Sequence, residues 1–205
     1  MKEKLITTII SDSYIPLGDI MAWIARTADL ELLSQLEEVH VEQKGTWFSS
    51  GEFVVTSSEE EMVFWLVDSY SYRRSSSRVR ASDIDDTTVF IICRPHRIFA
   101  DKLGVWMDGS LQTVIRKEQI VKPMYNINNA RNKPVLKVKG NFRANAFQLQ
   151  SLDGRLIGSI TQVWRGAARA LARAYQYEVV FPRDLDTRYK VAVIATCIFI
   201  DYTYV

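Results

Sequence analysis

Cysteine is scarce in this 205-residue chain, with Cys93 and Cys197 its only two. Two such distant thiols make no disulfide framework, and a reducing compartment is expected over secretion. Proline and glycine are sparse as well, at five and nine, and no Pro-rich or Gly/Ser-rich stretch separates domains. Charge of one sign is missing: 26 Lys and Arg against 24 Asp and Glu leave +2, a balance that disfavours nucleic acid as a partner. No apolar run approaches the roughly 20 residues of a spanning helix. The opening residues, Met1-Lys-Glu-Lys4 and a short stretch interrupted by threonines, are too polar for a signal peptide. Enzyme signatures are absent too. His40 and His96 stand alone, outside metal-ligand spacings, and the chain has no phosphate-binding glycine loop and no nucleophile elbow. The acid pairs Asp85-Asp86 and Asp184/Asp186 lack any sign of the differently tuned environments that acid–base catalysis requires.

What is present reads as a globular, mainly β chain. Hydrophobic residues make up 47% and charged residues 24%, enough for a core that needs no staples. Residues 1–28, with Ser11-Asp12-Ser13, Pro16 and Gly18, break any regular pattern and read as an N-terminal arm. Residues 29–205 read as one domain. Leu30 to Val39 has the texture of a short helix. Met62–Val67 and Thr87–Arg94 are β-branched and aromatic runs suited to buried strands. In Pro134–Lys139, Leu136 and Val138 alternate with Lys137 and Lys139, the period of a strand with one face in the core. Asp153-Gly154 lies between two more alternating runs, the strongest hairpin signal in the chain. Short strands and turns at this spacing predict a sandwich or barrel.

Three segments carry charge or apolarity that invites a functional reading. Tyr72 to Arg80 holds four arginines, but Asp68, Asp83, Asp85 and Asp86 bring 68–88 to zero net charge; a self-paired, solvated loop is favoured over a polyanion contact. From about 163 to 175 the spacing predicts an amphipathic helix. Trp164, Ala168, Leu171 and Tyr175 fall on one narrow face, with Arg165, Arg169 and Arg173 as a stripe beside it. Such a helix suits a membrane surface, with Trp164 and the three arginines as lipid contacts. It also suits packing on a barrel with its basic face in water, which the alanine-rich stripe favours. The third segment is the most apolar run, Val191 to Ile200. As a helix with its flanks it reaches only about 24 Å, short of a hydrocarbon core of about 30 Å. A helix apolar on every side must be buried on every side, and a closed barrel around it does that. Val191, Ile194, Ile198 and Phe199 are then its core side chains.

Phe181-Pro-Arg-Asp-Leu-Asp186 followed by Lys190-Val-Ala-Val-Ile-Ala-Thr-Cys-Ile-Phe-Ile-Asp201 resembles the C-terminal signature of the phospholipid scramblase family. Leu30–Val39 is similar to the family's opening segment, and Ser151-Leu-Asp-Gly154 with Ile157–Trp164 to its late hairpin. The resemblance covers about 30–205 in order. It implies a tubby-like fold, a closed twelve-stranded β-barrel around a buried hydrophobic C-terminal helix. It also implies calcium-triggered, bidirectional, non-selective phospholipid movement between leaflets. Expected partners are anionic phospholipid or a membrane surface, and proteins. The expected location is the cytoplasm or the cytoplasmic face of membranes, with the nucleus left open. The family's acidic stretch before the signature is here Ala172-Arg-Ala-Tyr-Gln-Tyr-Glu178. A calcium site would therefore fall to Glu178, Asp184 and Asp186, a degenerate set for an ion that takes six to eight oxygens. Asp184 and Asp186 read more readily as a turn or cap before a helix from Thr187. The family's acylated cysteine cluster and Pro-rich arm have no counterpart. The alternative function is a non-catalytic tubby-like adaptor that binds phosphoinositide headgroups or protein partners.

Overall fold

The computed structural model describes residues 30–44, 51–68, 76–95, 101–119, 123–141, 145–163 and 176–204. After a helical segment at 30–35, the chain runs through β1 (Glu38–Lys44), β2 (Glu52–Ser57), β3 (Met62–Asp68), β4 (Ser76–Ser82), β5 (Thr88–Pro95) and β6 (Lys102–Met107). It continues through β7 (Ser110–Gln119), β8 (Met124–Asn129), β9 (Pro134–Asn141), β10 (Ala146–Ser151), β11 (Leu156–Val163) and β12 (Gln176–Val180), and ends in a helix, Thr187–Tyr204. Each strand pairs antiparallel with its sequence neighbours, and β12 returns to β1 with Val179 opposite Val39, which closes the barrel. Closure leaves no open strand edge among the described residues. The expected twelve-stranded, mainly β barrel with a buried C-terminal helix is the structure found.

Alternation sets the wall. Val39 and Val41, Phe53 and Val55, Leu103 and Val105, and Leu136 and Val138 point inward and are buried, while the residues between them face out. The same logic corrects the reading of the arginine-rich segment. Its described part is a strand and not a loop: Val79 and Ala81 are buried in the lumen, so Arg78 and Arg80 face outward. Arg80 pairs with Asp86 at 2.9 Å, consistent with local charge neutralisation. Glu38 and Val39, read as the end of a helix, open β1.

The meander gives the barrel two unlike rims. At one lie five hairpin turns, the segment before β1 and the link from β12 to the helix. Four of these turns repeat one design. Ser57, Asp83, Asn129 and Ser151 each start a loop closed by backbone bonds to the residue four ahead. The residue before closure is left-handed: Glu60, Asp86, Asn132 and Gly154 at φ 64, 58, 59 and 88°. The first three loops are braced by a side-chain oxygen of the starting residue, which accepts two backbone N–H bonds. Asp153-Gly154 thus sits in a hairpin as expected, but in a longer loop. The two-residue turn belongs to Asp108-Gly109, both left-handed at φ 48 and 71°, which the sequence pattern did not single out. At the other rim the connections 45–50, 69–75, 96–100, 120–122, 142–144 and 164–175 lie outside the described residues. Val163 belongs to β11, and the amphipathic helix expected from there to 175, with Trp164, Arg165, Arg169 and Arg173, falls outside them.

Candidate functional site

The barrel's distinctive feature is its C-terminal helix, held at both ends by polar groups. Entry is governed by the Phe181-Pro-Arg-Asp-Leu-Asp186 block. Phe181 is buried, and its N–H donates to the Glu37 carbonyl at 2.9 Å. Asp186 is the N-cap: Oδ1 accepts from the Arg188 N–H at 2.9 Å, and its carbonyl accepts from the Tyr189 and Lys190 N–H groups at 2.8 and 3.1 Å. The Arg188 guanidinium grips both carboxylate oxygens at 2.9 and 2.6 Å and holds the Asp186 carboxyl below its ordinary range.

One turn later Lys190 is fully buried. Its Nζ donates to the carbonyls of Leu33, Ser34, Leu36 and Arg183 at 3.2, 2.7, 2.7 and 3.0 Å, and it stands 5.1 Å from the centre of the Phe181 ring. Leu33 and Ser34 belong to the segment 30–35, at whose end the Leu33 carbonyl accepts a tight-turn bond from the Leu36 N–H at 3.2 Å and the last carbonyls otherwise lack a donor from their own helix. The ammonium therefore supplies a cap in trans and ties the start of the domain to its end. Desolvation lowers the Lys190 pKa, the cost of taking an ammonium out of water.

From Val191 to Ile200 every residue is buried, and Val191, Ile194, Ile198 and Phe199 all lie inside, as expected. Small side chains (Ala192, Ala195) leave room for a helix in the lumen. Its two weakly polar members are satisfied within the helix: Thr196 Oγ1 donates to the Ala192 carbonyl at 2.8 Å and Cys197 Sγ to that of Val193 at 3.5 Å. Burial also pushes the Cys197 thiol pKa up. Phe199 meets Tyr125 of β8 edge-on, centroids 5.5 Å apart at 62°, and the Arg94 guanidinium lies 6.0 Å from its ring centre. No helix among the described residues is long and apolar enough to cross a membrane.

At the far end Asp201 is buried, 3% exposed, and its Oδ1 accepts the Tyr177 hydroxyl at 3.3 Å. Burial outweighs that bond and pushes the Asp201 pKa up to about 6 from 3.8. The folded state thus binds a proton that the unfolded chain has already released between about pH 4 and 6. Stability falls as pH rises through that window, and the charged carboxylate costs about 3 kcal/mol at neutral pH. Asp201→Asn, which keeps an acceptor for Tyr177, should raise the melting temperature at pH 7.5, leave it unchanged near pH 4 and flatten the profile between.

The three acids named for calcium are not gathered. Glu178 sits midway along β12 opposite His40, Asp184 is exposed in the turn before the helix, and Asp186 is engaged by Arg188. Among the described residues, no three of His, Cys, Asp and Glu come together to hold a metal. The residues that the sequence pattern missed are Lys190 and Tyr177. A signal for the first was present, a lysine and an aspartate bracketing the most apolar run, but not the identity of their partners.

A twelve-stranded antiparallel barrel closed on its own C-terminal helix defines the architectural class. The chain belongs to the Scramblase family, whose model matches residues 20–205, including nine residues (20–28) assigned above to the arm. It is 25% identical to human phospholipid scramblase 4 over 207 residues, covering 85% of this chain and 63% of that protein. It is 33% identical to human phospholipid scramblase 2 over 88 residues, 39% of this chain and 30% of that protein. The chain thus spans under two thirds of the length of these relatives. A solved Arabidopsis thaliana protein, 14% identical, superposes with a TM-score of 0.53 over 81% of this chain and 90% of its own, a likeness of fold alone.

Proposed function

We propose that this protein is membrane-associated and mediates or regulates bidirectional phospholipid movement between leaflets. Membership of the Scramblase family across residues 20–205 is the observation that supports the reading. The lumen is occupied by the protein's own helix, so lipid would be engaged from the outer surface of the barrel, at the cytoplasmic face of membranes. Leaflet exchange of a fluorescent phospholipid in reconstituted liposomes, with and without calcium, tests it: exchange above protein-free liposomes is expected, and exchange equal to theirs refutes it. Calcium binding, if it occurs through Glu178, Asp184 and Asp186, should be millimolar at best by calorimetry, since the set is small and Asp186 is already paired. The filled lumen also favours a second reading, a non-catalytic adaptor for phosphoinositide headgroups or proteins. It predicts headgroup binding with no exchange.

A further inference from the structure

The barrel is electrostatically two-sided. On the outer wall of β12, β1 and β2, Glu178, Glu38, Glu42 and Glu52 face out, with Lys44 the one strong cation among the outward positions of these strands. Six strands round the closed ring, the wall of β6–β9 carries Lys102, Arg116, Lys137 and Lys139 against Glu118. Three of these cations share one row: Lys102 is opposite Arg116, Arg116 opposite Asn126, and Asn126 opposite Lys137. The sum over the chain, only +2, conceals this separation.

Beside the basic row lies an apolar pad. Ile91, Trp106 and Leu111 are in register on the outer face of β5, β6 and β7. Trp106 is 39% exposed, an unusual position for an indole on a solvated wall. It and Leu111 lean over Gly104: a Cβ placed there would stand 3.4 Å from Trp106 Nε1 and 3.3 Å from Leu111 Cδ1. The glycine thus lets both side chains lie low, as a flat patch and not a protruding knob. Lys102 and Arg116 follow two residues beyond Gly104 and Val114, roughly 7 Å away along the strands.

We infer that the outer wall of β5–β9 is the face that docks on an anionic phospholipid bilayer, with Trp106 at the headgroup–acyl boundary and the Lys102–Arg116–Lys137 row on lipid phosphates. The inference rests on the membrane reading above and adds the orientation. An indole in an apolar pad is the pattern of membrane-interface anchoring, and a cationic row at its margin complements anionic lipid. A nucleic acid would use the row but leave the pad unexplained. The wall of Glu38, Glu42 and Glu178, on the opposite side, would be repelled by the same surface.

Flotation with phosphatidylcholine vesicles, with and without phosphatidylserine, tests this on the full chain. Wild type should float with the phosphatidylserine vesicles. Lys102→Gln/Arg116→Gln/Lys137→Gln should weaken binding about a hundredfold, at roughly fivefold per cation, and Trp106→Ser about tenfold. Glu38→Gln/Glu42→Gln, which raises net charge on the far wall, should bind like wild type. Thermal melts establish that each variant is folded. If the triple variant is not, brominated phosphatidylcholine decides: it should quench a fluorescence component that Trp106→Phe abolishes. Wild type that floats while the triple or Trp106 variant floats equally, or unquenched Trp106, overturns the orientation and leaves the membrane reading intact. Wild type that floats with neither vesicle overturns both.

Discussion

Lys190→Met should lower the unfolding free energy by about 3–5 kcal/mol, the cost of breaking a buried charged network while its partners stay buried. The substitution keeps volume and apolar stem but leaves the carbonyls of Leu33, Ser34, Leu36 and Arg183 without the donor they share. Each unsatisfied carbonyl carries a desolvation penalty of about 1–3 kcal/mol unless water reaches it. Relaxation should therefore take one form, release of 30–37 from the end of the barrel. Urea unfolding measures the loss. Hydrogen exchange should show protection falling first in 30–37 and at the start of the C-terminal helix. A variant as stable as wild type would mean that the ammonium contributes no more than a methyl thioether there.

Phe199→Ala should have a comparable effect, a loss of about 3–5 kcal/mol, as buried phenylalanines do when truncated in a packed core. The ring is 1% exposed and fills the space between Tyr125, edge-on at 5.5 Å, and the Arg94 guanidinium at 6.0 Å. Tyr125 in turn contacts Phe147 with centroids 6.5 Å apart, so the cavity would open among three strands that cannot collapse on it without deforming a closed wall. Vesicle binding of the folded fraction should be unchanged. A helix that used Phe199 to enter a bilayer would show the reverse, lost membrane binding with little effect on stability.

Much of this fold was legible because apolar burial drives it and leaves its period in the sequence. β3, β5 and β9 follow from Met62–Val67, Thr87–Arg94 and the Leu136/Val138 alternation, and the enclosed helix from a run too short to span and too apolar to face water. β4 was hidden because Val79 and Ala81, its inward pair, are outnumbered by arginines and serines whose charge dominates the segment. The Asp108-Gly109 turn carried the same chemistry as Asp153-Gly154 but lies beside Trp106 and Met107, where strand character is less regular. The polar ends of the helix were least legible. Lys190 meets Leu33 across 157 positions, and Asp201 meets Tyr177 only after the barrel has closed; a local pattern shows that a charge borders an apolar run, not what receives it. The outer rows were illegible for the same reason. Lys102, Arg116 and Lys137 become one stripe only through strand register.

The central claim, that the apolar C-terminal run is the core of the barrel and stays there, is open to a direct measurement with the protein's own two thiols. Cys93 is partly accessible on β5, whereas Cys197 is buried in the middle of the helix. Maleimide labelling followed by peptide mapping should modify Cys93 in the folded protein. Cys197 should react only at the rate of global unfolding, and that rate should not change when phosphatidylserine vesicles are added. Rapid modification of Cys197 in the folded protein, or protection lost on contact with vesicles, would contradict the account and put the helix outside the barrel.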